Sequence, residues 1–395
     1  MGGGLRSISN GIIMSTALFV FCNSHSFSMN VRVSIFNDLF LSAVVISPDR
    51  GEYIVRGNGT ELFSIGEHDL LYVSKIGENL FVSCSSGSHG LFDVVNVYSN
   101  FAGNSFNVRS VNPASGKNYY YGTLEISINY GRISLINEIN ENLYLAGVVE
   151  AESGTSAEKM FYKAQGVICR TYLYKNYSRH ADEGFHLCDE VHCQVYRGRM
   201  SDNHLILESV NATAGKVITR SEGELISAAF HSNCGGQTSN SEDVWLLDRP
   251  YLRSVKDPWC KGKPGFSWEV RIDKDKWQNY LVSMGLNISE ITDPSGFSFI
   301  RSERAVHYRA GTFTMPLTKI RSDLNLRSAY FNVENPAAGD YLLLRGRGHG
   351  HGVGFCQEGA MEMARRGYDF IEILRFYYTG IDIVNYNKFF QVPEK

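Results

Sequence analysis

Glu152 stands where a carboxylate could act as a catalytic acid, directly before a predicted helix. It follows an apolar run at residues 143–149 and precedes Thr155 and Glu158, which have the spacing of a capping box. This spacing predicts a helix that begins after Thr155. A carboxylate between two rigid elements, yet outside both, is well placed for catalysis. The alternative is a solvated glutamate that the helix dipole favours.

The predicted helix carries one apolar stripe, which indicates that a single face packs on a core. The members of the stripe recur at helical spacing and are Met160, Ala164, Val167, Ile168 and Thr171.

A second group of chemically capable side chains lies just beyond this helix, within residues 179–198. It contains His180, His186, Cys188, His192 and Cys193. Two thiolates and two imidazoles are the usual ligands of a closed tetrahedral zinc site. Because His192 and Cys193 are adjacent, they would point to opposite faces of a strand, so a zinc site requires an irregular loop. The alternative is a Cys188–Cys193 disulfide.

The N-terminal segment has the pattern of an export signal. Arg6 precedes an apolar run at residues 12–22, and the small residues Ser24 and Ser26 follow it. The run is short for a bilayer span, which needs about 20 residues. We therefore predict a signal peptide over residues 1–26 and an exported protein with no membrane span after signal removal. An uncleaved anchor is the alternative.

Export changes how the eight cysteines are interpreted. Losing Cys22 with the signal leaves an odd number, so the cysteines cannot all form disulfides within one chain. His231 and Cys234 could be a nucleophilic pair. They could equally be a packed histidine and half of a disulfide with Cys260.

Composition is that of an ordinary protein of two domains or one large one. The chain has 395 residues and a net charge of −3, so it lacks the basic excess that a nucleic-acid binder needs. Its 22 Tyr and 23 Phe against 9 Pro favour substantial β-structure.

Strand and turn patterns predict an α+β fold with a β-rich N-terminal region at 27–117 and a mixed region at 118–395. Strands are predicted at 31–36, 41–46, 53–55, 70–74 and 91–97. A hairpin with arms at 119–128 and 133–136 closes at Asn129-Tyr130-Gly131 and leads towards Glu152.

Glycines alternate through the run GRGHGHGVGFCQEGA at residues 346–360. The run does not match G-x-G-x-x-G, because Val353 occupies the place of the third glycine. It predicts a glycine-alternating strand that another backbone or a sugar approaches closely, with His349 and His351 on one face. A helix should follow from Gln357, and a further one is predicted after Asp369, with Glu372 at the capping-box position.

Five blocks, in order, resemble the stage II sporulation protein D / LytB (SpoIID/LytB) family. They are YLAGVVEAES…KAQGVICRTY, HCQVYRG, FHSNCGGQTSNSEDVW, PYLRSVKDPWC and GRGHGHGVGFCQEGAMEMA. The resemblance covers roughly residues 119–383, whereas residues 29–111 match only loosely. It implies that the exported protein acts in the periplasm or cell envelope of a bacterium.

The resemblance implies a lytic transglycosylase that cleaves the bond between N-acetylmuramic acid and N-acetylglucosamine in peptide-stripped glycan strands, leaving 1,6-anhydro ends. It implies Glu152 as the acid and base and Arg170 as a second catalytic residue. It also implies a structural zinc ion held by Cys188, His192, Cys193 and a fourth ligand. His180 is preferred to His186 as that fourth ligand. The residues that it marks as glycan contacts are Gln165, Tyr196, His231, Ser232, Arg253, His349, His351 and Gln357.

The sequence departs from the family pattern in two places. His186 stands where an Asp is usual, and the Met-Pro that usually follows the glutamate is missing after Glu152. A second function attached to the family is non-catalytic enhancement of a peptidoglycan amidase, which would then be a partner. The intact Glu152 and Arg170 favour the enzyme, and Glu150 is interpreted as a bystander.

Overall fold

The computed structural model describes residues 29–201, 204–291, 294–337 and 339–386. The predicted signal peptide, Cys22 included, lies outside these ranges. Among the described residues, no helix is both long and apolar enough to cross a membrane.

The first third of the described chain is entirely β-structure. Its strands are β1 (Asn30–Ile35), β2 (Ala43–Arg50), β3 (Tyr53–Gly57), β4 (Thr60–Ile65), β5 (Leu71–Ile76), β6 (Asn79–Cys84), β7 (Gly87–Phe92), β8 (Val94–Tyr98), β9 (Ser105–Asn112), β10 (Lys117–Tyr121), β11 (Thr123–Asn129) and β12 (Arg132–Asn140).

Helices and short strands alternate in the remainder, so the predicted α+β class is confirmed. The helices are α1 (Glu141–Ser153), α2 (Lys159–Lys175), α3 (His204–Ala212), α4 (Glu242–Trp245), α5 (Lys274–Ser283), α6 (Leu317–Asp323), α7 (Gln357–Arg365) and α8 (Phe370–Tyr377). The strands are β13 (Leu187–Cys188), β14 (Lys216–Thr219), β15 (Phe230–His231), β16 (Ser267–Asp273), β17 (His307–Ala310), β18 (Phe313–Pro316), β19 (Phe331–Glu334), β20 (Tyr341–Arg347), β21 (Phe355–Cys356) and β22 (Asp382–Asn385).

Two sheets organise the N-terminal part. One has the order β13-β1-β12-β11-β8-β3-β4, and the other has the order β10-β9-β2-β5-β6-β7. The predicted hairpin is the β11–β12 pair, and Tyr130 and Gly131 at its turn both have positive φ, as a tight hairpin turn requires. Strand β1 lies between β12, which leads into α1, and β13, which carries Cys188.

The structure does not divide the chain near residue 117. Lys117 begins β10, which pairs with β9, and a single core extends from Val31 to Ile381. A second core lies within residues 268–344, where the sheet β16-β20-β19 packs with α5 and α6. Burial therefore separates an inserted unit from the main body, and the β-rich N-terminal strands belong to the main body.

The helix predicted to begin after Thr155 begins later, at Lys159, and Glu158 is its N-cap. The apolar run before Glu152 is itself the helix α1, capped by the Asn140 side chain, which accepts a hydrogen bond from Asn142 N at 3.0 Å. Glu152 therefore lies in the last turn of a helix, and the prediction that it lies outside both elements is wrong. Between the helices, the Tyr162 hydroxyl accepts a hydrogen bond from Ala157 N at 2.9 Å, which attaches the link to α2.

The glycine-rich run is a loop rather than the predicted strand. Strand β20 ends at Arg347, and Gly348, Gly350, Gly352 and Gly354 all have φ between 70° and 107°, which excludes a regular strand. The expected close approach of another backbone is present. A side chain on Gly348 would meet Asn233 O at 2.7 Å. The two helices predicted beyond the run are confirmed as α7 and α8, and α8 has the Asp369–Glu372 capping box.

Candidate active site

Glu152 is held at both its side chain and its backbone. Its Oε1 accepts a hydrogen bond from Val195 N at 3.0 Å, and its carbonyl oxygen accepts from Gln357 Nε2 at 3.1 Å. Helix α1 ends just after it at Gly154, whose N–H donates to Glu150 O at 2.8 Å. Three distant parts of the chain therefore fix one carboxylate at a helix end: α1, the loop before Val195, and the first residue of α7.

Partial burial raises the pKa of Glu152 above its ordinary value. The Val195 N–H and the charge of Arg197 act in the opposite direction and offset part of this effect. A carboxyl group with a raised pKa keeps its proton at higher pH, which is the property that a general acid needs.

Four of the five predicted metal-binding side chains converge. One ligand atom each from His180, Cys188, His192 and Cys193 lies within 4.8 Å of the others. Cys193 Sγ lies 3.5 Å from His180 Nε2 and 3.6 Å from His192 Nδ1. Bond lengths of about 2.3 Å to sulfur and 2.0 Å to nitrogen place such atoms about 3.5 Å apart around tetrahedral zinc. The donor set and its spacing therefore fit zinc.

The loop geometry also suits a closed site. His192 and Cys193 lie in an irregular segment after β13, so neighbouring residues can point to the same place. His180 Nδ1 lies 2.6 Å from Glu183 Oε1, the carboxylate partner that metal-binding histidines commonly have. The Cys188 thiol hydrogen-bonds to Cys193 and lowers the pKa of Cys193 to about 6, which favours the thiolate.

His186 is engaged elsewhere. Its Nδ1 accepts from Arg32 N at 3.0 Å, and its ring stacks on Tyr177 with a centroid separation of 3.8 Å. Of the two histidines predicted as the fourth ligand, the structure therefore brings His180 to the cysteines. Cys188 and Cys193 are both free thiols in the structure.

Arg170, predicted as a second catalytic residue, is completely buried at the other end of α1. Its Nε donates to Glu141 Oε1 at 2.7 Å, and its Nη1 donates to Thr213 O at 2.8 Å. Nη2 donates to Asn142 Oδ1 at 3.0 Å and to Val210 O at 3.3 Å. The structure therefore joins Arg170 to the start of α1 and the end of α3, and it does not place Arg170 against Glu152.

Two of the predicted glycan contacts lie inside the protein near Glu152. Gln165 is fully buried, and its Nε2 approaches Cys169 Sγ at 3.5 Å. Within the described structure its Oε1 has no hydrogen-bond partner. Tyr196 is also buried, and its hydroxyl donates to Asn137 Oδ1 at 3.3 Å. The Tyr196 contact attaches the loop that carries Val195 to β12.

His231 and His351 contact each other where β15 pairs in parallel with β21. His231 is buried, its Nδ1 lies 3.1 Å from Val353 O, and its Nε2 has no partner among the described residues. His351 lies against it, with ring centroids 5.3 Å apart, and also contacts Trp245 at 5.0 Å. Burial lowers the pKa of both histidines. Because His231 pairs with Cys356 of β21, and β21 leads directly into Gln357, this pair lies beside the strand that precedes the Glu152 contact.

The other predicted glycan contacts are less enclosed. His349 is exposed, whereas His351 is partly buried against His231, and the backbone of His349 pairs with Asn233. Ser232 is partly buried, and its carbonyl accepts from Glu358 N at 3.0 Å. Arg253 is bound to Glu242 at 2.7 Å and to Asp248 at 2.6 Å.

Sequence reasoning missed the Val195 contact that holds Glu152 and the Glu183 contact that holds His180. Val195 acts through its backbone N–H, which leaves no side-chain pattern to detect. Glu183 lies three residues after His180, and that spacing was the available signal. Trp245, beside His351, ends the FHSNCGGQTSNSEDVW block and carries no separate signal in the sequence.

The fold and the site together describe the class of protein: an α+β protein with one partly buried carboxylate close in sequence to a Cys/His cluster. A family model described as stage II sporulation protein matches residues 129–220, which include Glu152 and all four clustered ligands. An uncharacterized protein of Brachyspira hyodysenteriae is 30% identical over 275 residues, covering 68% of this chain and 73% of that protein. Stage II sporulation protein D of Bacillus subtilis is 31% identical over 270 residues, covering 62% and 76%.

A more distant relative is the amidase enhancer of Bacillus subtilis, which is 28% identical over 294 residues. The alignment covers 61% of this chain and 40% of that relative. On these similarities the chain belongs to the SpoIID/LytB family.

Proposed function

We propose that this protein is a lytic transglycosylase of peptidoglycan glycan strands, with Glu152 as its acid and base. The observation that carries the proposal is the fixed carboxylate at the end of α1, with a pKa raised by burial and an oxygen bound by the Val195 N–H. Family membership supports a role at the cell wall, since a relative bears the name amidase enhancer.

The proposed reaction needs no water. Protonated Glu152 gives its proton to the glycosidic oxygen, the bond from C1 of N-acetylmuramic acid to that oxygen breaks, and N-acetylglucosamine leaves with a free 4-hydroxyl. The 6-hydroxyl of the muramic acid attacks C1 and forms the anhydro ring. The Glu152 carboxylate takes the hydroxyl proton, which restores the starting acid.

A single carboxylate is enough for this chemistry. Hydrolytic glycosidases need a second one to activate water or to form a covalent intermediate. An intramolecular hydroxyl acts at an effective concentration of about 10⁵ M or more when it is well oriented. Glu150 is the nearest candidate for a second acid, but its oxygens accept from Ser201 N at 2.9 and 3.0 Å and from Ser201 Oγ at 2.9 Å. These contacts support a structural role for Glu150.

We further propose that His180, Cys188, His192 and Cys193 hold one zinc ion. When bound, zinc would supply a cross-link that contributes to folding, because the unfolded chain has no such cage. Val195 is two residues beyond Cys193, so a fixed loop would hold the N–H that binds Glu152. Glu152 carries out both proton transfers, and no step of the reaction passes through the metal.

The test uses peptide-stripped glycan strands and the full exported chain in water enriched in ¹⁸O. We expect 1,6-anhydro ends without ¹⁸O by mass spectrometry, whereas a hydrolase would give reducing ends that carry the label. Glu152→Gln should reduce cleavage about 10²–10⁴-fold, because the amide keeps the shape but cannot deliver a proton. Glu150→Gln is the matched control and should retain most of the activity.

Labelled reducing ends, or more than about a tenth of normal cleavage in Glu152→Gln, would refute the assignment of lytic chemistry to Glu152. The second candidate function, non-catalytic enhancement of a peptidoglycan amidase, is supported by the relative named amidase enhancer. It predicts that amidase stimulation persists unchanged in Glu152→Gln and that the wild-type chain alone releases no anhydro ends.

A further inference from the structure

Three cysteines and an aspartate meet at a second buried point in the main body. Cys234, Asp257, Cys260 and Cys356 each offer one ligand atom, and these atoms all lie within 4.8 Å of one another. All four residues are at most 1% exposed. They come from the loop after β15, the 257–260 turn and the end of β21, so the fold rather than local sequence assembles them.

The spacing of the four groups is that of metal ligands and not of a disulfide. Cys234 Sγ lies 3.5 Å from Cys260 Sγ and 3.2 Å from Asp257 Oδ2. Around a tetrahedral zinc ion, two sulfurs would be about 3.8 Å apart, and a sulfur and an oxygen about 3.5 Å apart. A disulfide needs about 2.05 Å between its sulfurs. The two observed distances are each about 0.3 Å shorter than those around zinc, so these groups would move apart only slightly to hold a cation between them.

Neighbouring groups already orient these side chains. Asp257 Oδ1 accepts from Trp259 N at 2.8 Å, and Asp257 Oδ2 accepts from the Tyr377 hydroxyl at 3.0 Å. The N–H of Cys234 donates to Cys356 Sγ at 3.3 Å. Hydrogen bonds of this kind hold and tune the ligands of metal sites.

Charge supplies a separate argument for a cation. The Asp257 carboxylate lies in a dry interior, where it is unfavourable unless positive charge accompanies it. A thiol that binds a cation gives up its proton and would add further negative charge. A nearby cation is the Arg304 guanidinium, which donates to Cys234 O at 2.8 Å and to Gln237 O at 3.1 Å. A divalent ion would offset more of the negative charge than one arginine can.

We propose that Cys234, Asp257, Cys260 and Cys356 form a second, structural metal site for a thiolate-preferring divalent cation such as zinc. The site is separate from the His180 cluster and does not depend on the reaction assigned to Glu152. It accounts for the odd cysteine count, since two cysteines belong to the first cluster and three to this one, which leaves Cys84 and Cys169.

The position of the site gives it a function. Cys356 directly precedes Gln357, whose Nε2 donates to Glu152 O. The Tyr377 hydroxyl of α8 donates a hydrogen bond to Asp257, so α8 is also attached to this cluster. A metal here would therefore fix the start of α7, and with it one of the two contacts that hold Glu152.

The test is metal stoichiometry of the full chain, exported to an oxidising compartment and purified without chelator. Elemental analysis should give two zinc ions per chain in the wild type and one in Cys356→Ser. Cys193→Ser should also lose one ion, whereas the control Cys84→Ser should keep both. Non-reducing peptide mapping should recover Cys234 and Cys260 as unlinked thiols.

A measurement on the wild type keeps the proposal testable even where Cys356→Ser does not fold. The zinc X-ray absorption spectrum should show an average of more than two sulfur ligands per ion, because one site offers two thiolates and the other three. Asp257→Asn, which keeps the shape, should lose one of the two ions to a chelator more readily than the wild type. One zinc ion per chain, together with a Cys234–Cys260 disulfide, would overturn the proposal.

Discussion

The substitution Arg170→Met should lower the free energy of unfolding of this protein without a direct effect on the reaction. The Arg170 side chain is completely buried and its partner Glu141 is 4% exposed, with 2.7 Å between Nε and Oε1. The substitution keeps a long apolar stem but removes every donor. The Glu141 carboxylate then keeps its hydrogen bond from the Tyr174 hydroxyl at 2.7 Å but loses its cation. The Thr213 and Val210 carbonyls lose their guanidinium donors.

The expected loss follows from this environment. Removing one partner of a buried ion pair costs about 3–5 kcal/mol, because the other charge stays buried without compensation. Proteins are commonly stable by only about 5–15 kcal/mol, so the loss is a large fraction of the total. With a urea dependence of about 3 kcal/mol per M, the unfolding midpoint should fall by about 1–2 M.

The assay is urea unfolding followed by circular dichroism, with glycan cleavage measured on the same samples in the absence of urea. Glu141→Gln combined with Arg170→Met should recover much of the loss, since it removes the uncompensated charge while keeping an acceptor for Tyr174. Arg220→Met is the control. Arg220 forms an exposed pair with Glu224, so its loss should change stability by no more than about 0.5 kcal/mol.

The result that would refute this reasoning is an unchanged midpoint in Arg170→Met together with lost cleavage. That outcome would mean that the guanidinium acts on the substrate or on Glu152, as the sequence alone predicted, in a conformation other than the one described. A lowered midpoint with nearly normal cleavage by the folded fraction would support the positioning role.

Three further predictions concern the surroundings of the acid. Arg197→Gln should move the alkaline limb of the cleavage rate to higher pH in a pH–rate profile, because the charge of Arg197 lowers the pKa of Glu152 and the acid works only while protonated. Cys193→Ser should lower both zinc content and melting temperature, whereas His186→Ala should keep the zinc, as measured by elemental analysis and thermal unfolding. Gln357→Ala should reduce kcat/KM by up to about tenfold, since it removes one hydrogen bond worth about 0.5–1.5 kcal/mol.

Strands β1, β2, β3 and β5 were predictable because half-buried strands leave a period of two in the sequence, whereas β6 and β9 were not predicted. The edge strand β4 left little such signal, since most of its residues are exposed or partly exposed. Helix α1 was not predictable as a helix for the opposite reason. Residues 144–149 are all buried, so the segment has no polar face from which a helical period could be detected.

The two cysteine clusters differ in how far apart their ligands lie in the sequence, and this decided whether each could be predicted. The first was predictable because its ligands lie within residues 180–193, so composition alone identified them. The ligands of the second lie between 234 and 356, and only the odd cysteine count indicated that some thiols had another role. The contact of Gln357 with Glu152 joins residues 205 apart, a separation at which spacing carries no information.

The two contacts that fix Glu152 both come from residues next to cysteine clusters. Val195 follows Cys193 by two residues, and Gln357 follows Cys356 by one. A lone acid that must first donate and then accept a proton needs a fixed position relative to the sugar, because small displacements at a reacting centre are costly. The end of a helix cannot supply this by itself, since terminal turns lack part of their hydrogen bonding. Cross-links on both sides of Glu152 would supply it, which gives each cluster a physical reason to lie where it does.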